Sequence, residues 1–132
     1  MSLVVGPIMS YDNARVINAL VGATALRQGD LCKFSSGALI PCADNDENLV
    51  VYVSLADAAL NATSQFVPLA DAKIKLAYTG SAPTLGEAYG ISDCRTLDQA
   101  NTTQLLLIVV KVGAEATLDA GMVEAIQYSI SA

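Results

Sequence analysis

The sequence predicts an all-β protein, a small single-domain barrel or sandwich of the β-tulip or jelly-roll kind, carrying an N-terminal arm. Three observations predict it. Two long apolar runs, Leu49 to Leu55 and Leu105 to Val112, are rich in the aliphatic and β-branched residues that suit pleated, buried strands. Gly, Asp, Asn and Ser punctuate the chain at short intervals, as they do between the strands of all-β domains. Finally, the chain echoes itself. Gly29-Asp30 opens a block that closes on the first apolar run, and Gly86-Glu87 opens one that closes on the second. The glycines lie 57 positions apart and the starts of the runs 56, so one gap aligns them. Two related β-modules, 29–56 and 86–112, account for the echo. With so few identities, two independent β-meanders would read the same way.

Residues 1–22 read as an arm and residues 23–132 as the barrel domain. In the arm, Gly6-Pro7 and Gly22 interrupt any continuous element. Asp12 can cap a short helix with Ile17, Leu20 and Val21 on one face, while β-branched Val16 and Ile17 equally suit an extended chain. Leu3, Val4, Val5 and Ile8, with Ile17 and Leu20, are too apolar to stay solvated. They are candidate contacts to a neighbouring subunit, against which the arm would order.

Within the barrel domain, Thr24 to Leu26, Leu31 to Phe34 and Ala38 to Cys42 read as short strands. Arg27-Gln28-Gly29-Asp30 and Ser35-Ser36-Gly37 supply the turns between them. Pro41 lacks an N–H, which places it at an edge or strand end. Ala56 to Ala62 is a turn, and Phe66 to Ala70 and Lys73 to Tyr78 are strands. The last of these alternates cleanly, with Lys73, Lys75 and Ala77 facing outward. Thr79 to Gly86 is a loop, Gly113 to Gly121 a connection, and Met122 to Ile130 the closing strand.

The two long runs are apolar on both alternating faces. One face belongs to the core, and the other must be covered by a loop, the arm or a neighbouring subunit. Val51, Val53, Leu107 and Val109 are therefore further candidate subunit contacts. Composition points the same way. Charged residues make up 15% of the 132, against about 25% in ordinary soluble domains. The 53% hydrophobic fraction implies apolar surface buried under partners, around the single core that a chain of this length supports.

Several function classes are disfavoured. Net charge is −6 and the seven Lys and Arg are scattered, so no cluster exists to neutralise phosphates and no nucleic-acid partner is expected. No apolar run approaches the roughly 20 residues of a spanning helix, and the N-terminus lacks the basic region of a secretion signal. A cytosolically made chain with no membrane partner is expected. There is no His, which removes the usual general base and the commonest zinc ligand. No phosphate-binding glycine loop occurs, and no catalytic residue, cofactor or metal is expected. Asp44-Asn45-Asp46-Glu47-Asn48 is dense in oxygen ligands but lacks the EF-hand spacing, and reads as a solvated acidic turn. Cys32, Cys42 and Cys94 form no CxxC pair and read as free, semi-buried thiols. Cys32 and Cys42 would face each other only across an odd-numbered loop centred on Gly37.

Ala25-Leu26-Arg27-Gln28-Gly29-Asp30-Leu31-Cys32-Lys33-Phe34, then Ser36-Gly37-Ala38-Leu39-Ile40-Pro41-Cys42-Ala43, the run to Leu55 with Ala56-Asp57-Ala58, and Leu85-Gly86-Glu87-Ala88-Tyr89-Gly90-Ile91 follow one another in a familiar order. This order resembles the small head decoration, or cement, proteins of tailed bacteriophages, over residues 23–112. The motifs are turn grammar, and the Asn61 to Thr84 insert and the apolar arm depart from the family's pattern. The resemblance implies a β-barrel or β-tulip-like structural protein with no enzymatic activity, commonly a homotrimer. It would be made in the host cytoplasm and sit on the outer surface of the virion at three-fold or quasi-three-fold positions. There it would bridge neighbouring copies of the major capsid protein. A ligand- or carbohydrate-binding β-barrel is the alternative, against which stand the absence of Trp and a scatter of only five Tyr.

Overall fold

The computed structural model describes residues 8–11, 15–44, 46, 50–113 and 121–128. Eleven strands are arranged in two sheets, with no α-helix among the described residues. They are β1 (Ile8–Tyr11), β2 (Ile17–Leu20), β3 (Leu31–Ser35), β4 (Ala38–Pro41), β5 (Tyr52–Ser54) and β6 (Thr63–Pro68). After a 3-10 turn at Leu69–Asp71 come β7 (Ala72–Thr79), β8 (Ala88–Asp93), β9 (Thr96–Asp98), β10 (Leu107–Val112) and β11 (Met122–Gln127).

One five-strand motif occurs twice. The first copy runs β2-β6-β5-β3-β4, and the second β7-β11-β10-β8-β9, with β1 added beside β7. The second copy closes into a barrel through a parallel β7–β9 ladder. The first is closed by the parallel Val21–Leu39 bridge alone. Registers correspond pair by pair. Cys32–Tyr52 and Val53–Val67 in the first copy match Tyr89–Leu107 and Ile108–Ile126 in the second. Likewise Ile17–Phe66 and the Val21–Leu39 closure match Ile74–Ala125 and Tyr78–Leu97. The Gly-acid turns recur in their hydrogen bonds. Gly29 N donates to Ser54 O at 2.8 Å and Gly86 N to Val109 O at 2.8 Å, while Ser54 N donates to Asp30 O and Val109 N to Glu87 O, both at 3.0 Å. The repeat therefore extends beyond 29–56 and 86–112, taking in β2, β6, β7 and β11.

Two clusters fill the molecule, where a single core was expected. Alternation sends Val21, Cys32, Leu39 and Phe66, with Leu26, into the first motif. The opposite face of the same strands presents Leu31, Val53 and Val67, joined by Val51, Leu55 and Leu69, to the interior of the second motif. This explains the two-faced run at 49–55: the sheet of the first motif divides two clusters, and its outer face seals the inner wall of the second. The junction is pinned by Leu31 N donating to Cys94 O at 2.8 Å. The Arg95 guanidinium adds an ion pair to buried Asp30 at 2.5 Å.

Part of the stretch read as an arm belongs to the body of the fold. Ile8–Tyr11 pairs antiparallel with β7, burying Ile8 completely, and Ile17–Leu20 pairs with β6. Leu3, Val4 and Val5 lie outside the described residues, as does the expected cap Asp12. The expected strand at Thr24 to Leu26 reduces to a single bridge from Leu26 to Ala58, because the chain bends at Ala23 and Thr24. The expected continuation of the closing strand to Tyr128 is not met, since β11 ends at Gln127, and residues 129–130 are outside the described set.

The β3–β4 hairpin turns on Ser36 (φ 52°) and Gly37 (φ 84°), the paired positive φ of a type I′ turn. Its two-residue loop sets Cys32 opposite Pro41. Cys42 consequently falls on the other side of the sheet, in the larger cluster, and the two thiols do not face each other. Pro41 ends β4, the last strand of its sheet. Gly90 marks a second sequence constraint: a Cβ there would strike the Asn101 side chain and come within 2.6 Å of Gln104 O. Asn101 is itself fixed, its Oδ1 accepting from the amides of Thr103 and Gln104. Gly90→Ala is expected to cost about 1–3 kcal/mol by overpacking, measured as a lowered denaturant midpoint with an unchanged slope.

Candidate functional site

The exposed apolar residues gather on two faces, and each face follows from the repeat. On the second motif, β10 carries a bulge between Val109 and Lys111. The extra residue, Val110, is turned outward and 39% exposed, next to Ile126 at 38%. Leu85, 64% exposed, Lys111, Val112 and the Lys73–Glu124 pair complete a groove on this outer face. Glu124 is almost fully buried and held by Lys73 Nζ at 3.2 Å, so the groove has an apolar rim over a neutralised floor.

The other face lies on the first motif. Phe34, 48% exposed, meets Tyr52 edge-on with ring centroids 5.3 Å apart. Val50 and Lys33 extend this shallow groove. Ile17 and Ala19 on β2 are half-buried against the small cluster, and Leu20 is exposed.

The candidate contacts named from sequence fall mostly inside. Val51, Val53, Leu107 and Val109 are at most 1% exposed and belong to the chain's own core. They offer no surface to a partner, because the cover supplied for β5 is the other motif. Ile8 is buried in the same way, leaving Leu20 exposed and Ile17 half-buried. Val110, Ile126, Leu85 and Phe34 were not singled out from sequence. Val110 lies in a run apolar at both parities, which does not say which face is outer, whereas Ile126 was readable, since it is out of phase with inward Val123 and Ala125.

The titratable groups are structural in their placement. Cys32, Cys42 and Cys94 are free, and the Cys32 thiol donates to Asp30 O at 3.2 Å. Burial pushes all three thiols up, Cys42 to about 12 and the half-exposed Cys94 to about 11. Cys32 is driven higher still by burial, with Cys42 and Asp30 adding to the effect. Protonated thiols are poor nucleophiles, and among the described residues no group of three or more Cys, Asp or Glu is placed to hold a metal ion.

The acidic turn divides in two. Asp44 is exposed, and Asn45, Glu47 and Asn48 are outside the described residues. Asp46, expected to be solvated as well, is instead tied down. It accepts from Lys33 Nζ at 2.7 Å and from Ala43 N at 2.7 Å, closing the loop after β4. Asp44→Asn is expected to change stability by less than about 0.5 kcal/mol. Asp46→Asn should cost about 1 kcal/mol through the half-buried ion pair, a difference that thermal melts of the two variants resolve. The chain matches no family model, no curated protein and no solved structure.

Proposed function

We propose that the chain is a structural virion protein that binds the outer surface of a phage capsid and cements neighbouring major capsid subunits, stabilising the expanded head. The observation that carries this reading is the pair of exposed apolar faces, around Val110 and Ile126 and around Phe34 and Tyr52. They sit on a β-frame whose Cys32 and Cys42 thiols are buried. Isolated exposed hydrophobics are ordinary, but grouped ones mark surfaces that other proteins cover. The turn grammar shared with head decoration proteins supports the same role. A cement protein works by binding only the mature lattice, so that its binding free energy adds to the stability of that state. Such a role needs rigid apolar faces and no chemistry. The assembled form on the capsid is a homotrimer in this reading, with no nucleic acid or membrane in contact.

The test is fractionation of an infected lysate on a density gradient, followed by heating of the purified particles. The chain should band with icosahedral particles, and particles lacking it should release DNA at lower temperature. A chain found only in the soluble fraction, with particles of unchanged heat resistance, would rule out the cement role. Glycan binding by that soluble chain would favour the carbohydrate-binding alternative.

A further inference from the structure

We propose that copies of this chain associate head to tail, the outer face of the second motif in one copy seating on the open wall of the first motif in the next. The proposal rests on the internal repeat and does not depend on the capsid role.

Within the chain one such junction is already made. The outer face of the first motif, centred on Val53 and Val67, lies against the inner wall of the second, formed by Ile74, Leu76, Ile91 and Leu107. All four wall residues are nearly or fully buried there. Because the registers correspond, each side of this junction has a counterpart elsewhere on the molecule. Val53 and Val67 correspond to Ile108 and Ile126, and the turn residue Asp30 corresponds to Glu87. Ile74, Leu76, Ile91 and Leu107 correspond to Ile17, Ala19, Phe34 and Tyr52.

The counterparts are the surfaces left open. Ile108 is half-buried and Ile126 is exposed, whereas Val53 and Val67 are fully buried. Phe34 is 48% exposed where Ile91 is 0%. Ile17, Ala19 and Tyr52 are half-buried. The chain thus holds one filled pairing of outer face with inner wall and one unfilled pairing of the same kind, with exposed apolar residues on both unfilled halves. A second copy supplies the missing half to each. The contact is heterologous, since two different surfaces meet, so repetition closes a ring or extends a filament. The internal ion pair has no counterpart in it. Asp30 meets Arg95 across the internal junction, but the position equivalent to Arg95 falls in the uncharged Ser36-Gly37 turn of β3–β4. Association should accordingly survive high salt.

The experiment is sedimentation of the full chain over a concentration series up to about 1 mM, with two variants. Val110→Asp with Ile126→Lys spoils the outer face and leaves the wall; Phe34→Asp spoils the wall and leaves the outer face. Phe34→Ser replaces the second variant should the aspartate unfold it, as judged by circular dichroism. Wild type should form concentration-dependent oligomers, and each variant alone should associate about 30-fold or more weakly. Mixing the two variants should restore a single intact junction and give a heterodimer that neither forms alone. A monomeric wild type would overturn the proposal. So would variants that still dimerise alone, which would signal a symmetric contact, or a mixture that fails to pair.

Discussion

Arg95→Ala is expected to be among the most damaging single substitutions outside the core, costing about 2–3 kcal/mol, since Asp30 is buried but Arg95 is partly exposed. Asp30 is 3% exposed, and its carboxylate is held on one side by Arg95 at 2.5 Å and on the other by Arg27 N at 2.8 Å. Removing the guanidinium leaves a buried carboxylate without its paired cation. It also unpins the junction, because Arg95 Nη1 reaches Gln28 O at 3.4 Å from 67 positions away. The double variant Arg95→Ala with Asp30→Asn should recover much of the loss, since the amide keeps an acceptor for Arg27 N and buries no charge. Urea titration of wild type and the three variants measures the coupling. A cost below about 1 kcal/mol for Arg95→Ala would mark the pair as an ordinary surface salt bridge.

A second large effect is expected in alkali. An unfolded thiol titrates near 9.0, whereas burial holds Cys42 at about 12 in the folded chain and raises Cys32 further. Above pH 9 the unfolded chain releases these protons and the folded chain keeps them. The unfolded state therefore binds fewer protons, and stability falls as pH rises. The contribution is fully present below pH 9 and is lost as pH climbs toward the folded values. Each buried thiol costs about 1.4 kcal/mol per pH unit, so two of them remove about 5 kcal/mol between pH 9 and 11, a large part of the stability of a typical domain. Half-exposed Cys94 adds less. Melts across this range should show a steep drop that Cys42→Ala makes shallower. A flat profile to pH 11 would mean that the thiols ionise in the folded chain.

Much of the framework was legible in the sequence, for local reasons. The Lys73 to Tyr78 alternation reads directly as a strand with Ile74 and Leu76 inward, because side-chain direction in a strand depends only on parity. Ser36-Gly37 announces its hairpin because few residues accept positive φ. The echo from Gly29 to Gly86 was visible because both turns use the same backbone bonds. What escaped was non-local. Nothing near Ile8 states that it pairs with Ile74, so the first strand resembled an arm awaiting a partner. The second apolar face of Leu49 to Leu55 was correctly seen as needing cover, but the cover is the other motif of the same chain. Val51 and Val53 thereby changed from candidate contacts to core. Val110 was hidden for a different reason: Leu105 to Val112 is apolar at both parities, so alternation alone does not say which face is the outer one.

The proposed cement role and the head-to-tail association share one structural claim, that the outer face of the first motif seals the inner wall of the second to make a single rigid body. Native-state hydrogen exchange in low denaturant tests it most directly. The amides of Val53 and Val67 in the first motif and of Ile74 and Val123 in the second should exchange through one global opening, with equal free energies and equal denaturant dependence. Separate openings for the two sets, with the first motif unfolding while the second stays protected, would contradict the claim.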